Sequence, residues 1–251
     1  MRVMVTVDVE GAQRARRYRS VELLADLVAD IGVETTLFVT PDVVENETDV
    51  VRSWLEDGHA IGLHVHPERF DRFDSPWLTE YSRESIEWML QRGKSTFKTY
   101  LGHDPDIFRA GRWEFSETLL EALNDQGFVR DASLSPAQRD TERDSKAYAT
   151  PSLYHGVEEF PITTYDSPLL RPLLWPVSID CVPLDLSTFL TRRVFLPGFY
   201  LLTLRKLRST SPYTMVVFHD FDLTNESMYG RVRDYLSFLK ERGKPTTLRD
   251  V

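Results

Sequence analysis

Residues 1–11, Met-Arg-Val-Met-Val-Thr-Val-Asp-Val-Glu-Gly, begin with a short apolar run that leads into two acidic side chains. The run at residues 3–7 is rich in β-branched side chains, which is typical of a buried strand. Residues 20–31 then place their apolar side chains at helical spacing, with Ser20 as the predicted N-cap and Gly32 as the predicted end. This strand and helix form the first βα unit of the sequence.

The same alternation repeats along the rest of the chain. Further strands are predicted at residues 35–39, 61–65, 107–109, 128–130, 159–163 and 215–218, and further helices at 41–55, 82–100, 116–124 and 228–242. Repeated βα units predict an α/β fold with a parallel sheet, either open or closed into a barrel. No internal repeat or linker interrupts the pattern, so we expect a single domain over residues 1–251.

Two stretches depart from this alternation. Residues 135–155 are polar and irregular, and we predict a surface loop there. Residues 166–200 are rich in proline and in large apolar side chains, and we predict an excursion that covers one face of the barrel. An apolar stretch of this kind is typical of a lid or of part of the core, with contact with a membrane surface as the alternative.

The overall composition excludes some classes of protein. The net charge of −9 argues against a nucleic-acid-binding protein, which would need basic side chains to neutralise phosphates. The single cysteine, Cys181, cannot form an internal disulfide. We find neither a signal-peptide pattern nor a run of about 20 apolar residues, so we expect a cytoplasmic protein.

Polar side chains follow several predicted strands at their carboxyl ends, where parallel α/β folds carry their active sites. These side chains belong to Asp8, Glu10, His64, His66, Arg109, Asp131 and His219. The His-x-His spacing in an extended segment places both rings on one face, which suits a shared metal ion. The sequence therefore predicts one site that gathers these residues.

Each of these residues also has a purely structural interpretation. Asp8 and Glu10 could cap a helix, and His64 and His66 could be solvated in a loop. His219 could be a histidine satisfied within the core, and Arg109 a partner in a surface ion pair. A structural role is our prediction for the remaining histidines, His59, His103 and His155.

The polar residues and their surroundings, in this order, resemble the NodB-type polysaccharide deacetylase family (carbohydrate esterase family 4), in its Asp-x-Glu branch. The resemblance rests on residues 6–11 (TVDVEG), 58–64 (GHAIGLH), 108–113 (FRAGRW), 127–131 (GFVRD), 159–164 (EFPITT) and 216–219 (VVFH). It extends from residue 3 to about residue 249 and implies a distorted (β/α)7 barrel. One motif departs from the family pattern His-Ser/Thr-x-x-His, because Glu68 stands where the second histidine is expected.

The resemblance also implies a mechanism. Glu10, His64 and either His66 or Glu68 would bind a divalent metal ion, with Zn²⁺ as the first expectation. Asp8 would be the general base, and Arg109 would be its partner. His219 would be the general acid, oriented by Asp131. Trp113 would form a flat wall for a sugar ring. The expected reaction removes an acetyl group from an N-acetylated sugar or glycan precursor.

Three other functions remain open at this stage. A hydrolase related to allantoinase would cleave a C–N bond in a small non-sugar amide. A glycosidase would use two carboxylates and no metal. A barrel that binds sugar without turning it over is favoured by the departure at Glu68.

Overall fold

The structure is a computed structural model, and it describes residues 1–11, 19–135, 151–165, 182–183, 186, 196–209 and 211–251. Most of the predicted excursion at 166–200, and residues 136–150 of the predicted loop, lie outside these described residues. Within the described ranges, no helix has both the length and the apolar character needed to cross a bilayer.

Strands and helices alternate through most of the described chain. The strands are β1 (Arg2–Val9), β2 (Thr36–Val39), β3 (Ala60–Val65), β4 (Ile107–Ala110), β5 (Arg130–Asp131), β6 (Ser152–Tyr154), β7 (Val157–Glu159), β8 (Thr164–Tyr165), β9 (Val182–Pro183), β10 (Tyr213–His219) and β11 (Lys244–Pro245). The α-helices are α1 (Arg19–Ile31), α2 (Pro41–Asn46), α3 (Thr48–Glu56), α4 (Arg83–Leu101), α5 (Glu117–Asp125), α6 (Leu196–Leu207) and α7 (Glu226–Arg242).

The main sheet confirms the predicted parallel α/β fold. Its strands follow the order β10-β1-β2-β3-β4-β5-β7-β6, with β11 added beside β1. Every pairing from β10 to β7 is parallel, and the edge pairing of β6 with β7 in this sheet is antiparallel. The sheet curls into the distorted barrel that was expected. The prediction of a continuous loop at 135–155 is wrong in its last part, because Ser152–Tyr154 pairs with β7 as an edge strand.

The segment after β7 brings the two ends of the curled sheet together. Ile162 donates its backbone N–H to the carbonyl of Leu134 at 2.9 Å, so this segment continues along the β5 side. Its other side faces β10, where the backbone N–H of Met215 donates to Thr163 Oγ1 at 2.8 Å. Tyr213 adds a second link by donating its hydroxyl to the Pro161 carbonyl at 2.7 Å.

The two faces of the sheet bury different residues because side chains alternate along a strand. On β1, Val3, Val5 and Val7 belong to the large core shared with the helices. Met4, on the opposite face, belongs to a smaller core inside the curled sheet. Asp8 lies four residues after Met4, so the alternation places both side chains on the same, inner face. The Asp8 carboxylate is therefore on the inner face, at the carboxyl end of the strand.

Two local predictions need correction. The helix predicted at residues 41–55 is divided into α2 and α3, and Glu47 stands between them. Ser20 lies within α1, and its hydroxyl donates to the buried carboxylate of Asp220. Its partner is a side chain distant in sequence, so Ser20 links α1 to the turn that follows β10.

Candidate active site

Parallel pairing brings the predicted site residues to one end of the sheet. Asp8 on β1 is the register partner of His219 on β10. His64 on β3 is the register partner of Arg109 on β4. These strand ends therefore form one edge of the curled sheet, as the sequence predicted.

Glu10, His64 and His66 form a cluster that could hold a metal ion, since their potential ligand atoms all lie within 4.8 Å of one another. His66 Nε2 is 3.2 Å from His64 Nε2 and 3.2 Å from Glu10 Oε1. Glu10 Oε1 is 3.6 Å from His64 Nε2. Two imidazole nitrogens and one carboxylate oxygen match a catalytic zinc centre, which keeps a further position open.

A hydrogen bond sets the tautomer of His64. Its Nδ1 lies 2.9 Å from the carbonyl oxygen of Arg109, and a carbonyl can only accept. Nδ1 therefore carries a proton, so in the neutral ring the Nε2 lone pair faces the cluster. Metal-binding histidines are commonly oriented in this way, so this ring fits a metal ion as it stands.

The other side of Glu10 is fixed by a buried carboxylate and an arginine. The backbone N–H groups of Glu10 and Gly11 donate to the two oxygens of Asp220, at 2.9 and 3.1 Å. Arg69 Nη2 donates to Glu10 Oε2 at 3.3 Å. Burial alone would raise the pKa of Glu10, but hydrogen bonds with His64 and His66 outweigh burial and lower it. Glu10 is thus ionised and ready to coordinate a cation.

Asp8 and Arg109 form a buried ion pair. Arg109 Nη1 donates to Asp8 Oδ1 at 2.7 Å, and Arg109 Nε donates to the Ala132 carbonyl at 2.9 Å. Arg109 is 0% exposed and Asp8 is 1% exposed, so the alternative of a surface ion pair for Arg109 is wrong. Burial alone would raise the pKa of Asp8. The charge of Arg109, with those of His64 and His219, outweighs burial, so the pKa lies below its ordinary value.

His219 lies close to Asp8 on β1 and to Glu10, which directly follows that strand. Its Nε2 is 3.9 Å from Asp8 Oδ2 and 3.9 Å from Glu10 Oε1. Its Nδ1 is 3.9 Å from Asp222 Oδ2, and its ring stacks on Phe221 with centroids 4.7 Å apart. The side chain keeps 22% exposure, so the ring can reach both the cluster and an incoming molecule.

Asp131 is buried beside Ser133 and Glu159, whereas the expected partner was His219. It accepts a hydrogen bond from Ser133 Oγ, and it is the register partner of Glu159 on β7. Burial raises the pKa of Glu159 well above its ordinary value, and the neighbouring charge of Asp131 raises it further. Burial also raises the pKa of Asp131. Burial of both carboxyl groups therefore favours retention of a proton by the pair.

Glu68 lies at the Nδ1 side of the His66 ring, away from the cluster of Glu10, His64 and His66. Its Oε1 is 3.5 Å from His66 Nδ1 and accepts from Arg112 Nη2 at 2.6 Å. Gly111 contacts the same ring closely, since a Cβ there would lie 2.7 Å from it. The structure thus separates the two candidates for the third ligand, with His66 inside the cluster and Glu68 outside it.

Trp113 follows β4 in the turn Gly111–Trp113, at the same edge of the sheet. Its backbone has a φ of 55°, which is uncommon for a residue with a side chain. Its ring is partly buried against the inner core. Its role as a wall for a sugar ring stays a prediction.

Several residues of this site received no role from the sequence. Asp220 directly follows His219, and Arg69 and Arg112 follow the strands that carry His64 and Arg109. Their positions just beyond strand ends could have marked them as site residues. The sequence, however, does not indicate in which direction each of these side chains points. The histidines assigned a structural role have ordinary polar neighbours: His59 with Thr35, His103 with the Ile61 carbonyl, and His155 with Glu121.

Comparisons with known proteins agree with this geometry. The sequence model of the polysaccharide deacetylase family matches residues 2–130. A search of the curated proteins finds no match. A protein from Mycobacterium smegmatis, described as a candidate polysaccharide deacetylase, has a similar structure with a TM-score of 0.69 and 16% identity, covering 99% of this chain and 87% of its own.

Two further solved structures share the fold. A family 4 carbohydrate esterase from Streptomyces lividans, in complex with acetate, has a TM-score of 0.57 and 13% identity, covering 97% of this chain and 90% of its own. A mutant of a pseudoenzyme of the same family, with restored enzymatic activity, has a TM-score of 0.59 and 12% identity, covering 99% of this chain and 66% of its own.

Proposed function

Because this chain belongs to the polysaccharide deacetylase family, we propose that it is a metal-dependent hydrolase that removes an acetyl group from an N-acetylated sugar or glycan precursor. The observation that carries the proposal is the cluster of Glu10, His64 and His66 beside the buried Asp8–Arg109 pair. In this proposal the cluster is the metal position, and Asp8 is the ionised base at the same edge of the sheet. The family implies a carbohydrate substrate.

In this proposal Glu10, His64 and His66 hold the metal, with Zn²⁺ as the first choice and other divalent ions compatible with the same ligands. When bound, the ion would polarise the acetamide carbonyl and make a water more acidic. His64 needs no change of tautomer, because its Nδ1–H is already bonded to the Arg109 carbonyl. Asp220 and Arg69 keep the Glu10 carboxylate in place from the other side.

Asp8 and His219 carry the two proton transfers. Asp8 is the general base, and its Oδ2, the oxygen that faces His219, takes a proton from the attacking water. Arg109 holds the other oxygen and keeps the group ionised at neutral pH. His219 is the general acid that gives a proton to the leaving amine as the C–N bond breaks. Water and amide are thereby converted to acetate and a free amine.

Two roles from the sequence analysis are revised or retained within this proposal. Asp222 is better placed than Asp131 to favour the charged form of His219, since it is the carboxylate 3.9 Å from His219 Nδ1. Asp131 then has an indirect role, through Ser133 and the strand that carries Arg109. Trp113 is retained as a wall for the sugar ring because it ends at the same edge of the sheet as Arg109.

A direct test is acetate release from N-acetylated hexosamine oligomers by protein loaded with Zn²⁺ or Co²⁺. The wild type should release acetate, chelation should stop it, and Asp8→Asn should abolish it while metal content is unchanged. A small-amide panel run in parallel distinguishes the allantoinase-related alternative. Activity that survives chelation would favour a glycosidase-like or other metal-free mechanism. Oligomer binding without turnover of any substrate would favour a sugar-binding barrel.

A further inference from the structure

A cavity lies between α1 and α3, at the amino ends of β2 and β3. Its volume is about 670 Å³, which is within the range of cavities that hold small organic ligands. Its wall includes Trp54 and His59, which are 1% and 6% exposed. His59 precedes β3, whereas His64 lies near the carboxyl end of that strand, roughly 16 Å away at the usual rise per residue. The cavity is therefore separate from the candidate active site.

His59 contributes a hydrogen-bond donor to this wall. Its Nδ1 accepts from the backbone N–H of Thr35 at 3.1 Å, and Thr35 Oγ1 lies 2.9 Å from the same nitrogen. Nδ1 therefore carries no proton, and the proton of the neutral ring is on Nε2. Burial lowers the pKa of the imidazole, which agrees with a neutral ring. In the part of the chain that the structure describes, Nε2 has no hydrogen-bond partner.

Trp54 contributes a second donor. Its carbonyl accepts from the backbone N–H of His59 at 3.0 Å, which holds the two residues side by side. Its indole Nε1–H is buried and has no partner among the described residues. Most buried N–H groups in native proteins have an acceptor, because an unpaired one costs free energy. Both unpartnered groups of this wall are donors, so a ligand that satisfies them must supply acceptor atoms.

The rim of the cavity carries negative charge. Asp26, Glu34 and Asp57 line the cavity, and all three are exposed. Lys240 and Arg249 donate to main-chain carbonyls, at 2.6 and 3.2 Å, and neither of these side chains lines the cavity. A ligand at this rim is therefore favoured by a positive charge.

We propose that this cavity binds a hydroxylated primary amine, the class of compound to which amino sugars belong. Its hydroxyl oxygens accept from the donors of Trp54 and His59, and its ammonium group faces the carboxylates of the rim. A metal ion does not fit, because the free nitrogen of His59 carries a proton and cannot coordinate. An anion is repelled by the rim. The reaction proposed above releases a product of this class, although the cavity itself does not depend on that reaction.

The test is a ¹H–¹⁵N NMR titration of metal-free protein with glucosamine, beside glucose and N-acetylglucosamine, which lack the positive charge. The signal to follow is the indole N–H of Trp54, which Trp54→Phe identifies among the five tryptophans by its absence. We expect glucosamine to shift this signal saturably. The two neutral sugars should bind roughly fivefold more weakly or less, since each exposed ion pair contributes up to about 1 kcal/mol.

Variants separate the contributions of the wall and the rim. The double variant Glu34→Gln/Asp57→Asn changes exposed side chains only and should weaken glucosamine binding by roughly fivefold or more. Trp54→Phe removes one hydrogen bond and should weaken binding by roughly two- to tenfold, followed through the backbone signals around His59. Glu56→Gln is the matched control, because this exposed carboxylate of α3 does not line the cavity and should leave the affinity unchanged.

Three results would overturn this inference. They are a Trp54 indole signal that does not respond to glucosamine, equal affinities for glucosamine and glucose, and wild-type affinity in the rim double variant. Binding that is lost in His64→Ala and kept in the rim variant would place the amine at the candidate active site, and would overturn the inference as well. A wild type that releases no acetate would bear on the proposed function alone, since this titration requires neither metal nor turnover.

Discussion

Arg109 donates from Nη1 to Asp8 Oδ1 across 2.7 Å, inside a region where neither residue is exposed by more than 1%. The backbone of the same arginine accepts from His64 Nδ1 at 2.9 Å. One residue on β4 therefore positions both the proposed base and a proposed metal ligand. The guanidinium itself is satisfied by Asp8, Thr6 and the Ala132 carbonyl, which is why this large charged side chain can be fully buried in the sheet.

Replacement of Arg109 should cost the protein much of its stability. Arg109→Met leaves the buried carboxylate of Asp8 without its counter-charge, and loss of one partner of a buried ion pair typically costs about 3–5 kcal/mol. Urea unfolding should show this loss, whereas Arg233→Met on the surface of α7 should change the free energy of unfolding by less than about 0.5 kcal/mol. Equal, small effects in both variants would contradict the importance of the pair.

Much of the fold was predictable because apolar runs and helical spacing report burial directly. The strands that carry Asp8, His64, Arg109 and His219 were all found from this pattern, and parallel topology then brought their ends together. The edge strand Ser152–Tyr154 was missed because its burial is incomplete, so its sequence carries no clear periodicity.

The details of the site were less predictable, since they depend on directions of side chains after the strands end. The sequence could not choose between His66 and Glu68, because both lie in the short segment beyond β3. Their separation depends on the turn Pro67–Arg69 and on Arg112 from a different strand end. The pairing of Asp131 with Glu159 depends on strand register, which single motifs do not reveal.

Gly111 offers a test of how closely the backbone supports His66. In Gly111→Ala, the new methyl group would lie 2.7 Å from the imidazole, so the ring must move away from its present place. We expect metal affinity to fall by at least roughly tenfold, as when a supporting partner of a ligand is lost. Gly230→Ala on α7 is the matched control because nothing lies within 4 Å of its added Cβ. Unchanged affinity in Gly111→Ala would show that His66 has room to adjust.

The carboxyl pair of Asp131 and Glu159 should make stability depend on pH. The raised pKa of Glu159 means that the folded protein holds this proton more tightly than the unfolded chain. Its stabilising contribution is therefore complete below the unfolded pKa of about 4.3 and is lost as pH rises towards the folded pKa. Glu159→Gln cannot ionise, so its stability relative to wild type should improve between pH 5 and pH 8.

This prediction is checked by unfolding wild type and variant in urea at both pH values. Glu158→Gln is the neighbouring control, since its side chain is 45% exposed and it should follow the wild type. If the stability difference between Glu159→Gln and wild type is the same at pH 5 and pH 8, the pair does not retain a proton.

His219 should be needed for turnover and dispensable for metal binding. Loss of a positioned general acid typically lowers the rate by about 10²–10⁴-fold. We therefore expect His219→Ala to reduce kcat on an accepted acetamide substrate by that amount, with the metal content of wild type. A variant that keeps wild-type kcat would remove His219 from the proton transfer.

The central claim is that Glu10, His64 and His66 hold a divalent metal ion. Its most direct test is the metal content of protein incubated with excess Zn²⁺ and dialysed, measured by elemental analysis for wild type beside His64→Ala. The account predicts about one equivalent in wild type and its loss in the variant, with both proteins folded. A wild type that remains metal-free, or a variant that retains the full equivalent, would contradict it.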